Sequence, residues 1–223
     1  MIDTIICGDC LEIMQDIPEH SIDLLITDPP YYLPAAHYVG WRKRTPRRYV
    51  RRTFSDSAIL DSFFVQLFVE VERVLNPRGA FYIFCDGASY PMFYWYSYPF
   101  TRTLRPLVWD KQNSIVGYGW RHQHELILWG ELLQSKPIPT ADGDILQCKP
   151  VSIMTRRHPA EKPVSLIQLL IQKSSKEGDT ILDPLCGSGS TCVAAKGAGR
   201  NYLGIEIDPE YCAIAEKRIK EML

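Results

Sequence analysis

The chain has 223 residues, 46% apolar and 23% charged, with a formal net charge of −1. That length accommodates one α/β domain with a full core, and the balance excludes a chain that is basic throughout and binds polyanions over its whole surface. No signal peptide opens the chain and no run of about 18 apolar residues occurs. With seven cysteines lacking a disulfide-like spacing, this implies a cytoplasmic protein with free thiols and no membrane partner.

Ile5-Ile6-Cys7 is a short strand candidate, followed by Gly8-Asp9 and a helical pattern through Leu11, Ile13 and Met14. Ile22 to Thr27 is a second strand, which runs directly into Asp28-Pro29-Pro30-Tyr31. Two prolines cannot continue a central strand, so the chain must turn there. Residues 32–56 are irregular. Ile59, Leu60, Phe63, Phe64, Leu67, Phe68, Val71, Val74 and Leu75 recur at helical spacing, and Asn76-Pro77-Arg78-Gly79 stops that helix. Ala80–Cys85, Leu104–Trp109 and Leu126–Trp129 read as strands. The aromatic cluster of Tyr90, Phe93, Tyr94, Trp95, Tyr96 and Tyr98 reads as core or a subunit interface. Residues 131–157 are loop-rich. Pro163 suits the first turn of a helix through Leu166, Leu169 and Leu170. Thr180–Leu182 and Tyr202–Glu206 are strands, each followed by a helix. Strands alternating with helices predict a doubly wound, mostly parallel α/β sheet, Rossmann-like, in a single domain over residues 1–223 with irregular insertions at 32–56 and 131–157.

The turn Asp183-Pro184-Leu185-Cys186-Gly187-Ser188-Gly189-Ser190-Thr191 lies between a strand and a helix. Gly187 and Gly189 let a ligand approach the backbone, and free amides at the helix start would face it. Neither the dinucleotide fingerprint nor the phosphate loop is present. Glu206 ends the next strand, where a ribose diol is commonly held. A tight turn with no ligand is the plainer alternative.

Asp28-Pro29-Pro30-Tyr31 is more specific. Asp28 offers an acceptor, Pro29 a carbonyl without a competing amide, and Tyr31 an aromatic face, on a turn stiffened by Pro30. Together they suit a planar base bearing an amino group.

Seven basic residues (Arg42, Lys43, Arg44, Arg47, Arg48, Arg51 and Arg52) fall within eleven positions, and the rest of the chain carries 18 basic against 26 acidic residues. A cationic loop on an acidic body points to an anion site, or simply to a solvated loop. Cys7-x-x-Cys10 has no second pair to complete a metal site, and no metal is expected. Cys7, Cys85 and Cys192 sit in apolar segments and read as small core residues.

These motifs together resemble the DNA amino-methyltransferases of the N6-adenine and N4-cytosine type, whose catalytic turn reads Asp/Asn/Ser-Pro-Pro-Tyr/Phe. With the catalytic turn before the glycine-rich turn, the order is similar to the permuted β-class. Leu185 and Ser190 depart mildly from that subgroup's Asp-Pro-Phe-x-Gly-Ser-Gly-Thr. Gly8-Asp9-Cys10-Leu11, His158-Pro159-Ala160-Glu161-Lys162-Pro163 and Gly204-Ile205-Glu206-Ile207-Asp208 are similar to further family segments. The resemblance covers nearly the whole chain, with 32–56 and 131–157 outside it.

The resemblance implies S-adenosylmethionine as cofactor, held by Asp9, Cys10, Asp28, Lys162, Asp183, Leu185, Gly187, Ser188, Gly189, Glu206 and Ile207. It implies catalysis by Asp28, Pro29, Pro30 and Tyr31 on the N6 amino group of adenine in DNA. The basic residues 42–52 would then contact phosphates, with Tyr38, Trp41 and Tyr49 filling the space of a flipped base or packing the loop. Residues 131–157 become the target-recognition segment. A homodimer and a cognate endonuclease of a restriction-modification pair are admitted as partners. N4-cytosine methylation, an RNA substrate and a non-catalytic nucleic-acid binder stay open as alternatives.

Overall fold

The computed structural model describes residues 2–31, 57–113, 119–136 and 142–222, with the backbone alone for 57–59. Among these, eight strands form one sheet in the order β1-β8-β7-β2-β3-β5-β4-β6. The strands are β1 (Thr4–Cys7), β2 (Ile22–Thr27), β3 (Leu75–Cys85), β4 (Thr101–Asp110), β5 (His124–Leu132), β6 (Ile145–Gln147), β7 (Thr180–Asp183) and β8 (Asn201–Glu206). From β1 through β8, β7 and β2 to β3 every pairing is parallel, while β5 runs antiparallel to both β3 and β4. The expectation of a doubly wound, mostly parallel sheet is met.

The helices are α1 (Cys10–Met14), α2 (Ser57–Val74), α3 (Tyr90–Ser97), α4 (Val164–Ser174), α5 (Ser190–Gly197) and α6 (Pro209–Lys220). They cover both sheet faces, because the central strands alternate. Leu25, Phe81, Ile83 and Cys85 join one apolar cluster with Met14, Phe64, Phe68, Val71 and Phe93. Leu24, Ile26, Ala80, Tyr82 and Phe84 join the other with Leu166, Ile167, Leu170, Ala194 and Ala195. A period of two on each strand therefore fills two cores at once. No described helix is long and apolar enough to cross a membrane.

Three local readings change. Asn76–Gly79 does end α2 after Val74, but the four residues lie inside β3. The register explains this: Ile22 pairs Leu75 while Leu24 pairs Ala80, so residues 76–79 bulge opposite Asp23 alone. A Cβ on Gly79 would stand 2.7 Å from the Asp23 carbonyl oxygen, so the bulge requires glycine. The loop-rich stretch 131–157 contains the end of β5 and all of β6, which extends the sheet beside β4. Pro163 precedes α4 as its cap, with ψ of 127°, rather than lying in its first turn.

The aromatic cluster turns out to be α3 and its C-terminal continuation. Phe93 is fully buried against Phe64 with ring centroids 4.8 Å apart, whereas Trp95 and Tyr98 are exposed. Cys85 and Cys192 are buried, as expected of small core residues, but Cys7 is exposed because it sits at the very end of edge strand β1.

Candidate active site

The parallel strands bring their carboxyl ends to one edge of the sheet. Asp28 leaves β2 there, Asp183 ends the adjacent β7, Glu206 ends β8, and Gly8-Asp9 follows β1. Because β5 is antiparallel, its amino end reaches the same edge: Leu126 pairs with Cys85, and Asp110 of β4 pairs with His124. Glu125 and Lys111 are thereby delivered beside the Asp-Pro-Pro-Tyr turn. The topology alone dictates that placement.

Four groups meet there in a dense charged cluster. Lys162 Nζ lies 2.6 Å from Asp28 Oδ2 and 2.9 Å from Glu125 Oε1. Tyr31 Oη donates to Asp28 Oδ1 at 2.7 Å and also contacts Glu125 Oε1. A phenol has one hydrogen, so it serves only one of the two carboxylates at a time. Lys111 Nζ holds the other Glu125 oxygen, Oε2, at 2.7 Å. The Lys162 ammonium also stands 5.0 Å from the Phe84 ring centroid.

Lys162 is buried, with 9% of its side chain exposed, a position that an ammonium occupies only when compensated. Burial alone would lower its pKa, but Asp28 and Glu125 outweigh burial and hold it above the usual lysine range. The two carboxylates are driven apart. Burial pushes Asp28 up, more than Lys162 and Tyr31 pull it down, and the Glu125 charge adds to the rise. Burial acts on Glu125 too, yet Lys162 and Lys111 overcome it and hold its carboxyl at about 2. One carboxylate is thus fixed as a counter-ion and the other keeps its affinity for protons, the division that acid–base chemistry uses.

The second half of the edge is the glycine-rich turn. Gly187 and Gly189 have φ of +52° and +79°, the left-handed region that glycine tolerates. A Cβ at Gly189 would also stand 2.7 Å from the Cβ of Ala215. The Gly187 amide donates to Glu206 Oε2 at 2.9 Å and the Asp208 amide to Glu206 Oε1 at 2.8 Å, tying the turn to the end of β8. His158 covers Gly187, its ring 3.6 Å from where a Cβ would stand, and packs edge-on to Tyr211. Burial holds the His158 imidazole down at about 4, which leaves it neutral at pH 7.

Beneath the turn, Arg218 of α6 is buried. Its guanidinium donates to the Ser188 carbonyl oxygen at 2.7 Å and to the Ser188 and Ser190 hydroxyls, and pairs with Glu161 at 3.0 Å. It therefore joins the glycine-rich turn to the 158–163 segment.

Asp183 is 5% exposed, and burial pushes its carboxyl up to about 7, against the opposing hydrogen bonds from Thr191 and the Leu185 amide. Because the folded value lies above the unfolded one, folding favours the protonated form. The stability this provides is present below the usual carboxylate range and is lost as pH rises toward about 7. Asp183→Asn, followed by urea unfolding of the free protein, should remove that slope and give a higher midpoint than the parent at pH 8. An unchanged slope would refute this.

A nucleoside bearing a cationic sulfur fits these residues. The two glycines leave room for close backbone approach, Glu206 and Asp9 place carboxylates at two neighbouring strand ends, and Ile207 lies 62% exposed next to Glu206 as an apolar surface. Asp183 adds a buried carboxylate at the base of the turn. Among the other residues expected at the cofactor, Cys10 is buried with its thiol pushed up to about 12, and Ser188 is buried with both oxygens bound to Arg218. Asp9 spends one oxygen capping α1 through the Leu11 amide at 2.8 Å. Lys162, expected with the cofactor, has its ammonium on Asp28 and Glu125. The basic residues of 42–52, together with Tyr38, Trp41 and Tyr49, lie outside the described residues.

A family model described as DNA methylase, of the N6/N4 methyltransferase type, matches residues 135–217. The putative methylase YubD of Escherichia coli (strain K12) is 34% identical over 218 residues, covering 95% of this chain and 88% of that protein. The chain belongs to the N6/N4 DNA methylase family. Its motif order is that of the β-class. Two solved structures share the fold: the M1.HpyAVI complex with SAM (TM-score 0.73, 23% identity, 97% of this chain and 98% of that one) and the cytosine-N4-specific PvuII DNA methyltransferase (TM-score 0.75, 18% identity, 96% and 85%). As an N6/N4 DNA methylase the chain is a DNA methyltransferase, and the methyl donor of its family is S-adenosylmethionine. Glu125, Lys111 and Arg218 are the site residues that sequence reasoning missed.

Proposed function

We propose that this N6/N4 DNA methylase methylates the N6 amino group of adenine within a short DNA site. The observation that carries the reading is the Asp28 carboxylate, half-buried at the sheet edge one strand from the glycine-rich turn, with its affinity for protons raised. An exocyclic amino nitrogen is a weak nucleophile, because its lone pair is delocalised into the ring. Asp28 and the Pro29 carbonyl accept its two N–H groups and localise that lone pair, while Tyr31 stacks on the base. Asp28 then stabilises the positive charge that grows on nitrogen. S-adenosylmethionine, when bound, supplies a methyl group on a positively charged sulfur.

In this reading Asp9, Cys10, Leu185, Ile207 and Glu206 hold the nucleoside end of the cofactor. Gly187, Ser188 and Gly189 shape the turn around it, and Asp183 faces its cationic end. The base reaches Asp28 only after leaving the duplex stack. Residues 42–52 neutralise phosphates around it, and 131–157 contribute sequence preference.

Aspartate rather than serine at position 28 favours adenine, following the family pattern that the sequence resembles. The second reading, N4-cytosine, draws on the fold shared with the PvuII enzyme. Methyl transfer from labelled S-adenosylmethionine to mixed-sequence duplex DNA, with nucleoside digestion and mass spectrometry, separates them. N6-methyldeoxyadenosine is expected. N4-methyldeoxycytidine would move the reading to cytosine, and no methylated nucleoside from duplex or single strands would overturn it.

A further inference from the structure

We propose that Glu125 is a positioning residue for methyl transfer: it holds Lys162 with one carboxylate oxygen and Lys111 with the other, so that Lys162 is shared instead of pairing wholly with Asp28. The inference deepens the reading above and rests on Asp28 as the acceptor of the substrate's N–H.

The geometry sets the problem. Asp28 has both oxygens in use, Oδ2 with Lys162 at 2.6 Å and Oδ1 with Tyr31 at 2.7 Å. A substrate amino group must compete with these donors for the same lone pairs. An ammonium bonded to one carboxylate alone would settle there as a tight pair, and the carboxylate would lose its value as an acceptor. Glu125 prevents that, because its Oε1 lies 2.9 Å from the same Nζ and also contacts the Tyr31 hydroxyl. Both donors that burden Asp28 thus have a second carboxylate within bonding distance, to which they move when the substrate arrives.

Lys111 keeps Glu125 in place. Its ammonium sits over the Trp109 ring at 4.8 Å from the centroid and pairs with Glu125 Oε2 at 2.7 Å. Glu125 itself is fixed at the first residues of β5, next to the β3 end that carries Cys85. The charged and titratable groups acting on Asp28 are therefore Lys162 from the segment before α4, Glu125 from β5, Tyr31 from its own turn and, at longer range, Asp183 at the end of β7 and Cys85 at the end of β3. Lys111, beyond β4, acts through Glu125. Of these, the negative charge of Glu125 raises the proton affinity of Asp28 and the Lys162 ammonium lowers it.

Glu125→Gln keeps the shape and removes the charge, so Lys162 pairs with Asp28 alone and the Asp28 pKa falls. With saturating S-adenosylmethionine and mixed-sequence duplex DNA, kcat at neutral pH should fall roughly 10- to 100-fold, the scale of a misplaced catalytic group, with KM for the cofactor unchanged. The acid limb of the kcat profile should move to lower pH, which a general loss of packing would not produce. Glu125→Asp, which keeps the charge, should keep the limb in place. If Glu125 acts through Lys162, then Lys162→Gln with Glu125→Gln loses no more than Lys162→Gln alone. Additive losses, or an unmoved limb in Glu125→Gln, would overturn the proposal. A carbon-13 carboxyl titration of Asp28, identified with Asp28→Asn, reads the same shift without turnover. Its midpoint should fall in Glu125→Gln, and a midpoint that stays would overturn the proposal even if the parent enzyme methylated nothing, the result that would sink the reading of function instead.

Discussion

Asp28→Ala is expected to cut methyl transfer by roughly a hundred- to a thousandfold, the cost of losing one preorganised partner of a developing charge, while S-adenosylmethionine still binds. The carboxylate leaves the end of β2 on a turn that two prolines stiffen, and Pro29 is buried, so the substitution has little backbone to disturb. What it does disturb is charge. Lys162 keeps Glu125 as a partner at 2.9 Å, so its ammonium is not stranded and the fold should survive. Asp28→Asn is the sharper control. It keeps one acceptor oxygen and the shape of the side chain, but turns an NH2 group toward one of the two donors, Lys162 or Tyr31. Single-turnover transfer with preloaded cofactor separates chemistry from binding. Equal turnover in the alanine variant would remove Asp28 from the mechanism.

Arg218→Met should be the most damaging substitution away from the Asp-Pro-Pro-Tyr turn. It leaves Glu161, whose side chain is 5% exposed, as a buried charge without its guanidinium partner, and strips Ser188 and Ser190 of their donor. Breaking a buried pair in this way costs about 3–5 kcal/mol. Glu161→Gln combined with Arg218→Met should recover much of that, because the stranded charge is gone. Urea unfolding of the two variants checks both statements. A single variant as stable as the parent would mean that the pair is not the joint described above. Because the same guanidinium ties the glycine-rich turn to the 158–163 segment, cofactor affinity should fall in both variants.

The parts of the site that the sequence disclosed are those built by local chemistry. Asp28-Pro29-Pro30-Tyr31 and Gly187-Ser188-Gly189 are turns at strand ends, and their prolines and glycines announce backbone geometry without reference to the rest of the chain. The alternation of strand candidates with helical patterns along the chain likewise disclosed a doubly wound, mostly parallel sheet. Glu125 and Lys111 were hidden for the opposite reason. Each is an ordinary charged residue beside an apolar run, and only the antiparallel pairing of β5 with β3 and β4 brings it to the edge where the parallel strands end. Lys162 was legible as part of the site, but its direction was not, since a flexible four-carbon stem carries no sign of where its charge settles. Asn76–Gly79 was read correctly as the end of a helix, and its place within β3 depended on register with Ile22 and Leu24.

The order of strands also bears on how the protein comes into being. β2 sits between β3 and β7, and Asp23 on it accepts a hydrogen bond from the Thr180 amide, 157 positions away. Lys162 reaches Asp28 across 134 positions, and among the described strands β1 pairs with β8 alone. During synthesis, then, the Asp-Pro-Pro-Tyr turn emerges before Lys162, its ion-pair partner, and before β7, which pairs one flank of its strand. Contacts of such long sequence separation make for slow folding and a prolonged exposure of open strand edges. A chain that stops before β7 has the Asp-Pro-Pro-Tyr turn but neither the glycine-rich turn nor the end of β8, and so lacks the half of the proposed site that would hold the cofactor.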